Sequence, residues 1–162
     1  MNIYLDIDGV IRGCASPKED IEEFLWYCLE KYPISTYWLT THCNHGVNRA
    51  HEALQDELSQ DLVDELSQKV KPTEWEVLKT DGIDMDQDFV WFDDNLFESE
   101  RQVLEAYYVE DGFFRMNPKD PEMTKKALKH LKNIEQKRDA SQKSASQVIS
   151  SRFAVYMWRR SA

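Results

Sequence analysis

Two short apolar runs, each ending in acidic side chains, constrain the fold of this chain most strongly. The first run delivers Asp6 and Asp8, and the second, residues 89–92, is followed by Asp93 and Asp94. Nearly continuous runs of β-branched and aromatic residues are typical of strands buried on both faces of a parallel sheet. Because ligands bind at the C-terminal ends of the strands in open α/β sheets, we expect these acids to meet at one site.

Four carboxylates that meet in a partly buried site repel one another, and a cation makes the arrangement tolerable. Hard oxygen ligands of this kind suit Mg²⁺. The sequence therefore predicts a Mg²⁺ site formed by acids from both strand ends.

The rest of the chain continues an alternation of strands and helices. We predict strands at 2–8, 34–40, 88–92 and 113–116, and helices at about 18–32, 47–70, 97–109 and 121–138. This order is that of an α/β doubly wound three-layer sandwich with a central parallel sheet. We assign residues 1–138 to a catalytic domain and residues 139–162 to a polar linker and a basic, partly apolar C-terminal tail.

Three local patterns support these assignments. Residues 16–19, Ser-Pro-Lys-Glu, fit a capping box with proline at the first helical position. The following helix has an apolar face at helical spacing. That face comprises Ile21, Phe24, Leu25, Cys28, Leu29 and Tyr32. A long apolar stripe likewise predicts one acidic helix over 47–70.

The charge of the chain is divided unevenly along its length. Residues 1–118 contain 26 acidic and 9 basic residues, whereas residues 119–162 contain 4 acidic and 11 basic residues. An acidic body argues against tight non-specific binding of nucleic acid, although the basic C-terminal part keeps a weaker form of that idea open.

The cysteine content and the apolar segments bear on the compartment. The three cysteines, an odd number at irregular spacing, do not form a disulfide framework, which favours a reducing, cytoplasmic setting. No apolar stretch approaches the roughly 20 residues of a membrane span, so we expect no membrane partner.

The acids at the first strand end suit phosphoryl transfer. A carboxylate such as Asp6 can attack phosphorus, and a second carboxyl such as Asp8 can protonate the leaving oxygen and later activate water. Thr40 ends an apolar strand and could hold a phosphoryl oxygen. Lys79 could neutralise the charge of the transition state, although Lys71 and Lys69 are rivals for that position.

Taken in order, these residues resemble the four motifs of the haloacid-dehalogenase-like (HAD) superfamily of phosphohydrolases. Asp6-Ile7-Asp8-Gly9-Val10 resembles the first motif, Asp-x-Asp-Gly-x after an apolar strand. Residues 37–40, ending in Thr40, resemble the second, Lys79 resembles the third, and residues 89–94 resemble the fourth. The resemblance covers about residues 2–134.

The resemblance implies a role for each of these positions. Asp6 would be the nucleophile that forms an aspartyl-phosphate, and Asp8 the general acid and base. Thr40 and Lys79 would hold the phosphoryl group. Asp6, the backbone carbonyl of Asp8, and Asp93, together with Asp94, would bind Mg²⁺.

Family members often carry a cap domain after the first or second motif, and this chain has little room for one. About 25 residues separate Val10 from the second strand, and 38 lie between Thr40 and Lys79. We therefore expect no large cap and an open site that admits small or macromolecular phosphorylated substrates. The loop of residues 42–45, His-Cys-Asn-His, matches no zinc-ligand spacing, and we expect it to be a polar loop beside the active site.

The leading hypothesis is a Mg²⁺-dependent phosphomonoesterase, and two alternatives stay open. One is an enzyme of the same fold that acts on nucleotides or nucleic-acid ends. The other is a weakly active scaffold that binds or regulates partners. Two-component receivers also combine acids, threonine and lysine, but their acidic pair ends the first strand and their lysine comes last, whereas here the acidic pair follows Lys79.

Overall fold

The structure of the protein is a computed structural model that describes the backbone of residues 1–160 and the side chains of residues 1–141. Residues 1–127 form one compact unit, and the chain from Leu128 onward forms a second. Within the described residues, no helix combines the length and the apolar character that crossing a membrane requires.

Strands and helices alternate along the chain. The elements are β1 (Asn2–Leu5), α1 (Lys18–Lys31), β2 (Thr36–Trp38), α2 (Ala50–Leu54), α3 (Gln60–Lys69), β3 (Lys71–Pro72), β4 (Phe89–Asp93), α4 (Glu98–Tyr107), β5 (Phe113–Arg115) and α5 (Met123–Arg160), with 3₁₀ turns at Lys79–Gly82 and Glu110–Gly112. The strands form one five-stranded sheet in the order β3-β2-β1-β4-β5, and every neighbouring pair is parallel. The predicted α/β class and the parallel sheet are confirmed.

The order of the strands reverses between β1 and β4. From β1 the chain adds β2 and β3 on one side of the sheet, and it then crosses over to add β4 and β5 on the other side. Because such crossovers are right-handed, α1 and α3 cover one face and α4 covers the opposite face. The packing of α1 against α3 agrees with this arrangement. The C-terminal ends of β1 and β4 therefore flank the topological switch point, where open α/β sheets bind ligands.

The sheet is held by large aromatic side chains. Every residue of β4 is buried. Phe92 on β4 meets Phe24 of α1 edge to face at a centroid distance of 5.1 Å, and Trp91 meets Phe113 of β5 at 4.9 Å. Five of the six residues expected on the apolar face of α1 are buried, and Tyr32 lies at the end of the helix, half-buried. The C-terminal end of β4 is thus fixed from both faces of the sheet.

The expected capping box at residues 16–19 is wrong. Pro17 occupies the N-cap position of α1, and no side chain caps the helix. The hydroxyl of Ser16 instead accepts a hydrogen bond from the backbone N–H of Thr124 at 3.3 Å. Ser16 therefore joins two segments that are remote in sequence, which a local pattern does not reveal.

The single helix expected over 47–70 is two helices, α2 and α3. The break lies before Ser59, whose backbone is extended at φ −65° and ψ 145° and whose N–H donates to Glu22 Oε1 at 2.6 Å. The apolar stripe survives the break because Leu54, Leu58 and Leu62 are all buried. After α3 the chain adds a strand that the sequence did not predict, the two-residue β3, beside β2.

The last helix is longer than expected. α5 runs from Met123 to Arg160 and continues through residues 139–151, for which the polar composition predicts a linker. The chain has no glycine or proline after Pro121, so no residue in this segment strongly opposes a helix. The division of the chain at residue 138 stays a prediction. The side chains of the apolar segment 153–158 lie outside the described residues.

Candidate active site at the switch point of the sheet

The lysine of the site bridges acids from the two strands that flank the switch point. Asp6 follows β1 directly, Asp93 is the last residue of β4, and Lys79 begins the 3₁₀ turn after β3. The ammonium group of Lys79 lies 2.7 Å from Asp6 Oδ2 and 2.6 Å from Asp93 Oδ2. These three residues are far apart in sequence, so only the parallel fold brings them together.

Burial makes this group of charges electrostatically strong. The side chains of Lys79, Asp6 and Asp93 are only 15%, 10% and 2% exposed. Burial and the negative charge of Asp6 raise the pKa of Asp93 to about 6, although Lys79 opposes the increase. Burial alone would lower the pKa of Lys79, but the charges of Asp6 and Asp93 prevail and raise it above its ordinary value. The lysine is therefore a permanent cation between two carboxylates.

Neighbouring donors fix the orientation of both acids. The backbone N–H of Ile7 donates to Asp6 Oδ1 at 2.7 Å, which leaves Oδ2 to Lys79. The indole N–H of Trp91 donates to Asp93 Oδ2 at 3.2 Å, and the backbone N–H of Asn95 donates to Oδ1 at 2.9 Å. Donors such as these hold each carboxylate in one orientation before any ligand binds.

Three carboxylates at this point form a donor set that fits a divalent cation. Asp6, Asp93 and Asp94 each offer an oxygen, and these oxygens all lie within 4.8 Å of one another. The set consists of hard oxygen donors, which Mg²⁺ prefers. Gly9 leaves room for it, because a Cβ atom at that position would lie 2.5 Å from the Asp94 carboxyl group. An Asp cluster that could hold a metal ion is thus present, and Mg²⁺ as its occupant stays a prediction.

Asp8, also proposed as a ligand, lies apart from this cluster. Its carboxylate is half exposed and contacts Arg12 and His42 instead. Burial acts to raise the pKa of Asp8, but hydrogen bonds from His42 and Arg12 prevail and hold it below its ordinary value. The side chain of Asp8 therefore contacts Arg12 and His42 and not the cluster of Asp6, Asp93 and Asp94, so the proposed ligand atom of Asp8 is its backbone carbonyl oxygen.

Glu100 is a site residue that sequence reasoning missed. This buried glutamate, at the third position of α4, accepts the backbone N–H of Lys79 at 3.0 Å and that of Phe97 at 3.0 Å. It therefore ties the lysine to the helix that follows the second acidic strand. A glutamate in the first turn of a helix was the available signal. The rival Lys71 is exposed on the edge strand β3, and Lys69 pairs with Glu65 on α3.

Thr40, expected as the last residue of the second strand, lies two residues beyond β2, which pairs with β1. It is fully buried, and its hydroxyl accepts a long hydrogen bond of 3.5 Å from the backbone N–H of His42. The polar loop that starts at His42 follows directly, and His42 itself reaches Asp8. The threonine and this loop thus adjoin the strand that carries Asp6.

Comparison with family models, with curated proteins and with solved structures gives no match to this chain. The resemblance to the HAD superfamily therefore stays a prediction from the sequence.

Proposed function

We propose that the chain is a Mg²⁺-dependent phosphomonoesterase of the HAD-like type that acts through a phosphorylated Asp6. The observation that carries the proposal is the contact of Lys79 with both Asp6 and Asp93, 73 and 14 residues away in sequence. Asp94 completes the group of carboxylates. A structural ion pair needs only two partners. This site instead brings together an acid, a lysine and a pair of acids, in that sequence order, at the switch point of the sheet, and such a group fits phosphoryl transfer better.

In the first half of the reaction, a carboxylate oxygen of Asp6 attacks phosphorus as the P–O bond to the leaving group breaks. Asp8, in its protonated form, gives its proton to the leaving oxygen, which departs as an alcohol. The ammonium group of Lys79, 2.7 Å from Asp6 Oδ2, is close enough to the nucleophile to donate to the transferred phosphoryl group. Bound Mg²⁺, held by Asp6, Asp93, Asp94 and the backbone carbonyl of Asp8, would neutralise further phosphate charge.

In the second half, water attacks the phosphorus of the aspartyl-phosphate and Asp8 takes a proton from that water. The acyl phosphate bond breaks, phosphate leaves, and the Asp6 carboxylate is restored. One ester and one water thus yield one alcohol and one phosphate, and the enzyme returns to its starting state.

The test is hydrolysis of p-nitrophenyl phosphate by the purified chain, with Mg²⁺ and with chelator. We expect turnover with Mg²⁺ only, and a loss of at least roughly 10³-fold in Asp6→Asn. Asp56→Asn is the matched control because Asp56 is an exposed acid on the surface outside the site. Equal turnover in chelator, or full turnover in a folded Asp6→Asn protein, contradicts the proposal.

The substrate class is a separate part of the proposal. The segment after β1 consists mainly of α1, and the segment after β2 consists of α2, α3 and β3. All of these elements belong to the unit of residues 1–127, so neither segment forms a separate cap. A site without a large cap would admit phosphorylated macromolecules as well as small molecules. Nucleotides and nucleic-acid ends are the alternative that the basic residues of 119–162 favour, and a substrate panel that includes both distinguishes the classes. None of the three cysteines forms a disulfide bond, as a cytoplasmic setting would require.

A further inference from the structure

The carboxylate of Asp8 is held by two side chains at once. Arg12 Nε donates to Asp8 Oδ1 at 2.8 Å, and Arg12 Nη2 lies 2.6 Å from the same oxygen in an ion pair. His42 Nε2 lies 2.8 Å from Asp8 Oδ2, so one hydrogen bond joins the two atoms: Nε2–H donates it when Asp8 is ionised, and the Asp8 carboxyl O–H donates it when Asp8 carries the proton. With both oxygens engaged from different directions, the carboxylate has a single orientation.

Arg12 reaches Asp8 because a tight turn follows β1. The carbonyl of Ile7 accepts the N–H groups of both Ile11 and Arg12 at 2.9 Å, and the N–H of Gly9 donates to the carbonyl of Arg12 at 2.8 Å. Gly9 has a φ of +74°, a backbone conformation that side chains disfavour. The turn thus brings the guanidinium back over the carboxylate four residues earlier.

His42 comes from a different part of the chain, the loop after β2. Its backbone N–H donates to Thr40 Oγ1, and its carbonyl accepts the N–H of Arg49 at 2.9 Å. The imidazole Nε2 lies 3.4 Å from Arg12 Nη2, so the two groups close on Asp8 together. Arg12 and His42 thus form a clamp around the Asp8 carboxylate, and this clamp links the loops that follow two adjacent strands, β1 and β2.

Stability does not account for this arrangement. The side chains of Asp8 and Arg12 are 51% and 39% exposed, and ion pairs in such surroundings contribute little to the free energy of unfolding. Its consequence is geometric instead, because a misplacement of about 1 Å in a reacting group can lower a rate about 10²-fold.

We propose that Arg12 and His42 are positioning residues for the Asp8 carboxyl group. They hold it away from the cluster of Asp6, Asp93 and Asp94, in the orientation needed to protonate the leaving oxygen and then to take a proton from the attacking water. This inference rests on the proposed function, in which Asp8 is the acid and base. It adds two residues that the motif resemblance does not include. Neither residue touches the reacting atoms; both act through Asp8.

The test compares His42→Ala, His42→Gln and Arg12→Met in Mg²⁺ with two kinds of substrate. Nitrophenolate leaves without a proton, so p-nitrophenyl phosphate still phosphorylates Asp6 in His42→Ala while attack by water slows. Stopped-flow measurements should then show a burst approaching one nitrophenolate per protein, followed by steady turnover roughly 10- to 100-fold below wild type. An alkyl phosphate, whose leaving group needs the proton, should lose a similar factor in kcat without a burst and with little change in KM.

Two further variants separate positioning from a general structural effect. His42→Gln offers an amide N–H in place of Nε2–H and should restore most of the turnover. His51→Ala, which removes an exposed histidine of α2, should behave as wild type in both assays. The urea unfolding midpoint of each variant is measured alongside.

The outcomes distinguish the two proposals. A burst in His42→Ala that is reversed in His42→Gln supports the clamp. If wild type turns over but His42→Ala and Arg12→Met show no burst and stay within threefold of wild type, the clamp is overturned and the phosphatase stands. If folded His42→Ala shows neither a burst nor steady turnover with p-nitrophenyl phosphate, the clamp is also overturned, because nitrophenolate should leave without help from Asp8. A wild-type chain without any turnover overturns both proposals.

Discussion

Replacement of Lys79 by methionine tests whether one cation holds the site together. The variant keeps the length of the side chain but leaves Asp6 and Asp93 facing each other, both nearly buried. Two unit charges 4.8 Å apart, the outer limit for the cluster, repel by about 3.5 kcal/mol at an effective dielectric constant of about 20. Removing one partner of a buried ion pair typically costs about 3–5 kcal/mol, which agrees. We therefore expect Lys79→Met to lower the free energy of unfolding by about 3 kcal/mol at pH 8.

The assay is urea unfolding followed by tryptophan fluorescence, in chelator so that no metal ion replaces the lysine. Lys71→Met is the matched control, because Lys71 is an exposed lysine on β3 and its loss should change the free energy of unfolding by less than about 0.5 kcal/mol. The cost of Lys79→Met should also shrink toward pH 5. Asp93, whose pKa is raised to about 6 even beside Lys79, is then protonated and the repulsion disappears.

A difference below about 1 kcal/mol between Lys79→Met and Lys71→Met at pH 8 would refute this reasoning. So would a cost that does not change with pH, because it would point to lost packing of the lysine side chain rather than to unbalanced charge.

Three further predictions concern the same site. Gly9→Ala should be more destabilising than Gly13→Ala, and only Gly9→Ala should weaken Mg²⁺ binding in calorimetry. Both glycines have φ +74°, but only at Gly9 would a Cβ atom meet Asp94, at 2.5 Å. Equal Mg²⁺ affinities of the two variants would contradict this. Glu100→Ala leaves two backbone N–H groups without their acceptor and should cost about 2 kcal/mol in urea unfolding and lower kcat, whereas an unchanged midpoint would count against a structural role. In chelator, the raised pKa of Asp93 means that the native state binds this proton more tightly than the unfolded chain does. Wild type should therefore lose about 2 kcal/mol of stability relative to Asp93→Asn as pH rises from 4 to 7, and a constant difference would show that the pKa is not raised.

The sequence predicted four of the five strands, β1, β2, β4 and β5, because each lies in a run rich in apolar residues, but it did not predict the two-residue β3. It also predicted that acids from two strand ends meet, since parallel strands collect their C-terminal ends at one edge. Asp6, Asp93 and Asp94 do meet, whereas the side chain of Asp8 contacts Arg12 and His42 instead. Lys79 could not be separated from Lys71 by sequence, because the choice depends on where the segment after β3 crosses the sheet. In the structure Lys79 contacts Asp6 and Asp93, whereas Lys71 is exposed on β3.

Two of the errors, the capping box and the single helix over 47–70, share one physical cause, which is that a local pattern is overridden by a distant partner. Ser16 has the position of a helix cap, but its hydroxyl accepts the N–H of Thr124 instead. The helix over 47–70 breaks where Ser59 donates to Glu22 of α1. The contact of His42 with Asp8 likewise joins residues 34 apart. No periodicity or propensity encodes such pairs, so they become visible only once the chain is folded.

The short strand β3 has a consequence for how molecules of this protein meet at high concentration. An open sheet edge can recruit a strand from another copy, and long apolar edges invite aggregation. Here that edge is only Lys71 and Pro72, both exposed, and Pro72 has no N–H to offer a further strand. A lysine charge and a proline therefore end the sheet on the side of β2, so that its aromatic interior strands are not extended into an intermolecular ladder from this edge.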